Sequence, residues 1–169
     1  MLTLKNIKKS IKDKTLVNEV SFDVPLGAVN GLLGPNGAGK TTTFYIIAGL
    51  LKPDHGEIIL NGEDISKLSM HKRSKLGIKY LPQEPSIFQN LSVYENLLGL
   101  AEISISKKED IDKFIEKSID EFGLSKIINL KGRQLSGGQR RKVEIARTLA
   151  AEPKIILLDE PFAGIDPIA

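Results

Sequence analysis

"GLLGPNGAGKTTTFYIIAG", Gly31 to Gly49, decides how the rest of the chain is read. Within it, Gly34 to Thr41 satisfies the spacing G-x-x-x-x-G-K-[ST], with Pro35, Asn36 and Ala38 among the free positions. The apolar "AVNGLLG" before the motif predicts a strand, and "TTTFYIIAG" after it predicts a helix closed by Gly49. Strand, loop and helix in that order are the context the spacing requires. Gly37 and Gly39 let the backbone turn its N–H groups around phosphate oxygens, while the helix starting near Lys40 directs its positive end at the same charge. Lys40 then neutralises the β- and γ-phosphates of a nucleotide, and Thr41 offers a hydroxyl to Mg²⁺.

A second stretch supplies the acids such a site needs. In "KIILLDEPFAGIDPIA", Lys154 to Ala169, an apolar run leads straight into Asp159 and Glu160. The run predicts a strand buried on both faces, as in a parallel sheet, with the carboxylates at its C-terminal tip, where open α/β sheets bind ligands. Asp159 completes the metal site, directly or through water. Glu160 acts differently, as the general base that polarises the water attacking the γ-phosphate, although a surface acid after a strand is the plainer alternative. Gln83, in "YLPQE" after the predicted strand "GIKYL", is neutral and can reach both the metal and that water.

The first residues differ in character. "LTLKNI" and "VSFDV" alternate as half-buried antiparallel strands, and "GEIILNG" predicts a strand ending in an Asn61-Gly62 turn. The basic stretch "KNIKKSIKDK" fits the wet face of an edge hairpin. Further on, Ser106 with Glu109 predicts a capping box opening a helix whose apolar face is Ile111, Phe114, Ile115, Ile119 and Phe122. The expected architecture is one α/β domain over residues 1–169: a mostly parallel nucleotide-binding core with flanking helices, an N-terminal antiparallel β subdomain, and a helical subdomain inserted at about 84–138.

"LSGGQ", Leu135 to Gln139, places Ser136, Gly137 and Gly138 at the head of the predicted helix "QRRKVEIARTLAA", with Val143, Ile145, Ala146, Leu149 and Ala150 as its apolar face. A second anion-site design in a domain with one phosphate loop predicts a head-to-tail homodimer in which each subunit's Ser136 and Gly138 complete the other's pocket. A simple N-cap explains Ser136 but not both glycines.

These motifs in this order, "GPNGAGKTT", Gln83, "LSGGQ" and "ILLDEP", resemble the ATP-binding subunit of ABC transporters, a P-loop NTPase, over essentially the whole chain. The resemblance implies ATP held between two subunits, by Gly34 to Thr42 and Asp159–Glu160 of one and by Ser136 to Gln139 of the other, with Asp166 as a dimer contact. "MHKRSKLGIKYLPQEPSIFQNLSVYENL" and "DEPFAGIDPIA" resemble more narrowly the lipopolysaccharide-export ATPases of Gram-negative bacteria. Two permease subunits docking around Gln83 to Phe88 follow from that, as does a place on the cytoplasmic face of the inner membrane. Phe88 is expected to be a buried anchor of that docking surface or an ordinary core residue. Related cassettes with another cargo, such as branched-chain amino-acid importers, and a silent nucleotide-binding module are the competing readings.

Three departures from the family pattern stand out. Ile11 occupies the place of the aromatic residue that stacks on adenine, and Gln139 stands where many lipopolysaccharide exporters have glutamate. The family pattern also continues past Asp166 to a switch histidine, and neither His55 nor His71 has its context. This implies a fragment that lacks the C-terminal part of the family domain, with poor stability and weak hydrolysis on its own. Composition excludes other classes: no cysteine among 169 residues rules out disulfide and cysteine-zinc chemistry. A formal charge of +3 is too small to argue for nucleic acid, and no apolar run is long enough to cross a bilayer, so contact with a membrane goes through partners.

Overall fold

The computed structural model describes residues 1–161. They divide into two units, residues 1–78 and those from Lys79 onward. In the first, β1 (Leu2–Ile11) and β2 (Lys14–Val24) form the expected antiparallel hairpin. Leu2, Leu4 and Ile7 of β1 are buried, which breaks strict alternation by one residue. The register slips between Leu4 and Ile7. There Asn6 adopts φ 49, and Glu19 on β2 adopts φ 52, so one extra residue returns Ile7 to the inner face. β3 (His55–Leu60) pairs with the other side of β1, and β4 (Glu63–Asp64) follows through Asn61 and Gly62 at φ 51 and 91, the left-handed pair of a type I′ turn. The sheet order is β2-β1-β3-β4.

The basic stretch therefore lies on the hairpin at the sheet edge, as expected, running along β1 and its turn to Lys14, the first residue of the edge strand β2. Lys9 is held by Asp54 at 2.7 Å while Lys5, Lys12 and Lys14 are exposed. Between β2 and β3 the chain forms α1 (Lys40–Ala48), which buries Ile46, Ile47 and Ala48 and ends at Gly49 with φ 83, and after β4 it forms α2 (Met70–Lys75). The strand expected over "AVNGLLG" is not formed: residues 28–36 carry no strand, and Val29 and Leu33 are fully exposed. An apolar run becomes a strand only when a neighbour takes up its N–H and C=O groups, and this segment has none in its unit.

In the second unit, β5 (Ile78–Leu81) pairs with β6 (Ile155–Leu158). Among the described residues β6 has one neighbouring strand, β5, and it is mostly half-buried instead of enclosed on both faces as expected, with Leu157 its buried residue. α3 (Val93–Ser104), α4 (Lys108–Phe122) and α5 (Gly137–Leu149) share an apolar core containing Val93, Leu97, Ile111, Ile115, Val143 and Ala146. Phe114, Ile119 and Phe122 pack against it, as the 3.6-residue spacing predicts.

The Ser106 capping box is absent, because α4 begins at Lys108 with Lys107 as its N-cap and no side-chain cap. Ser106 is thus one residue too early, and Glu109 falls at N2 instead of N3. Capping boxes close instead at Ser92 with Glu95 on α3 and at Ser136 with Gln139 on α5.

One buried amide ties the loop before α3 to that helix. Asn96 is fully buried; its Oδ1 accepts from the Phe88 N–H at 2.9 Å, and its Nδ2 donates to the carbonyls of Phe88 at 3.0 Å and Ser92 at 2.9 Å. Asn96→Ala strands several of these groups and is expected to cost about 3 kcal/mol in urea unfolding; a loss under about 1 kcal/mol would show that water replaces the amide.

Candidate functional site

The phosphate loop is built on glycine geometry. Gly37 and Gly39 stand at φ 83 and 87, the left-handed region in which the loop can turn its N–H groups inward as expected. At Gly39 the demand is also spatial, since a Cβ would lie 2.2 Å from the Leu16 carbonyl oxygen on β2. The loop is curled by the Ala38 N–H donating to the Pro35 carbonyl at 3.2 Å. Lys40 extends back across it, its Nζ donating to the carbonyls of Gly34 at 2.8 Å and Pro35 at 2.9 Å.

Gly39 caps α1 without a side chain, so nothing of its own covers the free N–H groups of the first turn at Lys40, Thr41 and Thr42. Pro35, Asn36 and Ala38 are exposed, and Ile11 is 49% exposed at the end of β1. This is a ready anion cradle: three uncovered amides, a helix dipole and an ammonium on one short segment.

The second unit brings Gln83, Asp159 and Glu160 together. Leu81 at the end of β5 accepts from the Asp159 N–H at 3.1 Å, which sets the two strand tips side by side. From there Gln83 Nε2 donates to Glu160 Oε2 at 2.7 Å, although 77 residues separate them in sequence. Glu160 reaches it from a left-handed backbone, φ 43, an unusual conformation for a residue with a side chain. Asp159 is 3% exposed, and its Oδ2 accepts from the Tyr80 hydroxyl at 3.1 Å.

Sequence reasoning missed the support beneath this group. Arg141 on α5 donates from NH1 to the Pro82 carbonyl at 2.8 Å and from NH2 to the Asp159 carbonyl at 3.3 Å. These carbonyls belong to the residues just before Gln83 and Glu160, so one guanidinium fixes the approach of both side chains. Glu144, 2% exposed, partners Arg141 at 3.3 Å and accepts from the Ser86 N–H at 2.6 Å. An arginine and a glutamate three residues apart on the helix face shared with the apolar residues were the available signal, and the polar letters "RRKVE" hid it.

On α5, the Ser136 hydroxyl accepts from the Gln139 N–H at 3.3 Å and Gln139 Oε1 accepts from the Ser136 N–H at 3.0 Å. A Cβ on Gly138 would meet nothing within 4 Å, so its own unit makes no steric demand for glycine there. Phe88 is not core: it is 52% exposed, with the Arg147 guanidinium 5.1 Å from its ring centroid. His55 and His71 are exposed. Asp166 lies outside the described residues.

The ABC transporter family model matches residues 17–163. The lipopolysaccharide export system ATP-binding protein LptB of Haemophilus influenzae is 54% identical over 174 residues, spanning all of this chain and 70% of its own length. An ATP-binding cassette of an ABC transporter superposes with a TM-score of 0.88 at 34% identity, covering 98% of this chain and 71% of that one. A dimeric cassette in a post-hydrolysis state bound to ADP and Pi superposes with a TM-score of 0.84 at 28% identity, covering 99% and 77%.

Arg141→Met leaves Glu144 charged, buried and unpaired, and is expected to cost about 3 kcal/mol. Glu144→Gln keeps an acceptor for Ser86 and costs about 1 kcal/mol. In a double-mutant cycle followed by urea unfolding the two losses fall short of additivity; strict additivity would mean the pair does not act as one unit.

Proposed function

This chain belongs to the ABC transporter ATP-binding family, and from that membership we propose that it is the subunit whose ATP hydrolysis drives lipopolysaccharide export from the inner membrane. The cargo rests on the relative at 54% identity, itself a lipopolysaccharide export ATP-binding protein. The observation that carries the chemistry is the Gln83–Glu160 hydrogen bond at 2.7 Å, which brings two motifs from opposite ends of the second unit into one constellation.

In this reading the amides of Gly37 to Thr42 and the flanking Gly34 to Asn36 cradle the phosphates, and Lys40 exchanges the carbonyls of Gly34 and Pro35 for β- and γ-phosphate oxygens. Ile11 covers the adenine ring with an aliphatic surface. The Thr41 hydroxyl, the Asp159 carboxylate and the Gln83 amide oxygen are hard oxygen donors that suit Mg²⁺, and the buried Asp159, met at Oδ2 by a neutral phenol, is an anion that a cation would complete. When bound, such an ion would supply positive charge against the phosphates. Glu160 accepts the proton of a water that attacks the γ-phosphorus as the bond to the ADP oxygen breaks, and Gln83 orients that water.

Ser136, Gly137, Gly138 and Gln139 face the γ-phosphate of a second copy in a head-to-tail homodimer, with Asp166 at the same interface. The open space beside Gly138 supports this, since a glycine with no close neighbour in its own unit suits a surface pressed against a ligand. Two permease subunits dock near Gln83 to Phe88, where the half-exposed Phe88 ring offers an anchor, and they hold the protein on the cytoplasmic face of the membrane. Among the described residues no helix is long and apolar enough to cross it.

Calorimetric titration with Mg-ATP and a phosphate-release assay test the site. Lys40→Ala is expected to weaken ATP binding at least about tenfold, whereas Glu160→Gln keeps ATP bound and lowers turnover about 10²- to 10³-fold. Parent protein that binds no ATP sinks the reading. Two permease-like proteins recovered with the chain from its own membranes in mild detergent support the transport role, and a bait that binds ATP but brings no membrane partner removes it.

A further inference from the structure

The helix that carries the phosphate loop is also gripped at its other end. Arg73, on α2, is 1% exposed and donates to four backbone carbonyls: Ile46 at 2.6 Å and Ile47 at 2.9 Å in the last turn of α1, Ser66 at 2.8 Å and Leu68 at 3.0 Å. Ser66 is in turn fixed to the sheet, its hydroxyl accepting from the Ile58 N–H of β3 at 2.8 Å. One guanidinium therefore refers the C-terminal end of α1 to β3.

Gly49 makes room for it: a Cβ there would lie 3.1 Å from both Cδ and Nε of Arg73 and 2.9 Å from the Met70 nitrogen. At the near end, Gly39 rests on the Leu16 carbonyl too closely to admit a Cβ. A nine-residue helix is about 13 Å long, so these two contacts bracket its whole length.

We propose that Arg73 is a positioning residue for the phosphate loop: its hold on the Ile46 and Ile47 carbonyls fixes where Lys40 and Thr41 present their N–H groups, without touching the nucleotide. The proposal rests on the nucleotide reading above. A cation at the C-terminal carbonyls also complements the helix dipole whose positive end faces the phosphates. Burying a guanidinium whose four hydrogen bonds all go to backbone carbonyls is a costly way to fill space, and an apolar side chain would serve a purely packing role at lower cost.

The test is Arg73→Lys in the full chain, which keeps the charge but loses the planar fork that spans four acceptors. Mg-ATP and ADP affinities are measured well below the melting temperature, together with amide hydrogen exchange. Both affinities are expected to fall about tenfold, the equivalent of about 1.4 kcal/mol of lost phosphate binding. Exchange should quicken at the α1 amides while β1 and β3 keep their protection. Should Arg73→Lys fail to fold, Arg73→Gln, which removes the buried charge and leaves a planar amide donor too short to span the four carbonyls, is read by the same criteria. A folded variant with affinity within twofold of the parent, or loss of protection in β1 and β3 in step with α1, overturns the positioning role. Parent protein that binds neither nucleotide overturns the nucleotide reading, and the proposal with it.

Discussion

Backbone carbonyls run out of partners wherever a strand or helix ends, and in this protein guanidinium groups take them up. Arg73 serves the end of α1, Arg141 serves the carbonyls of Pro82 and Asp159 beyond β5 and β6, and Arg147 donates to the Ser86 carbonyl at 2.6 Å. A buried carbonyl left alone costs as much as a lost hydrogen bond, so each of these ends needs a donor. Arginine suits such ends because its planar fork presents five donors at fixed angles, where lysine offers a single point of charge. The candidate functional residues stand on the elements these groups hold: Lys40 opens the helix that Arg73 closes at its far end, and Gln83 and Glu160 follow the two carbonyls that Arg141 holds. Support and site are separate sets of residues joined through the backbone.

That separation explains what could be read from the sequence. Gly37, Gly39 and Lys40 were legible because phosphate binding constrains residue type and spacing together, and no common packing need produces the same string. α4 was legible for a different reason: Ile111, Phe114, Ile115, Ile119 and Phe122 repeat at the helical period, and burial enforces it. The Asn61-Gly62 turn followed from its left-handed backbone. Each of these signals is local, or periodic within one element.

What escaped was non-local. Arg73, Arg141 and Glu144 are polar letters whose meaning depends on which chain ends fold against them, and nothing nearby in sequence marks Ile46 as the partner of Arg73. Gln83 is marked in the sequence only by its place after a strand, and its bond to Glu160 depends on the pairing of β5 with β6. The errors have the same origin. "AVNGLLG" has strand composition, yet a strand is a property of two neighbours, and the segment has none in its unit. Ser106 has the letter of an N-cap, yet capping depends on where the first turn begins, and packing of Ile111 and Ile115 starts α4 at Lys108.

The charges divide into two groups that answer differently to pH. Asp54 is held below the usual carboxylate range first by the Lys9 ammonium and then by the Ser10 N–H; Asp64 is lowered by the Ser66 hydroxyl and N–H, and Glu95 by the Ser92 N–H. A carboxyl lowered on folding adds stability above its unfolded pKa of about 4 and loses that contribution as pH falls through the folded value. All three are exposed, so they trim the hairpin, the β4 turn and the α3 cap without carrying either unit. Arg73 and Arg147 behave in the opposite sense. Burial lowers both, opposed by Asp64 and by Glu144 respectively, so keeping each charge inside costs stability at every pH below its lowered value. For Arg73 that cost rises in acid, because Asp64, which offsets it, loses its charge as pH falls through its lowered value. The clamp on α1 is therefore joined to the β4 turn: Asp64 accepts from the Ser66 N–H at 2.8 Å, and the Ser66 carbonyl accepts from Arg73, so acid that discharges Asp64 loosens the surface turn and withdraws counter-charge from the buried guanidinium together.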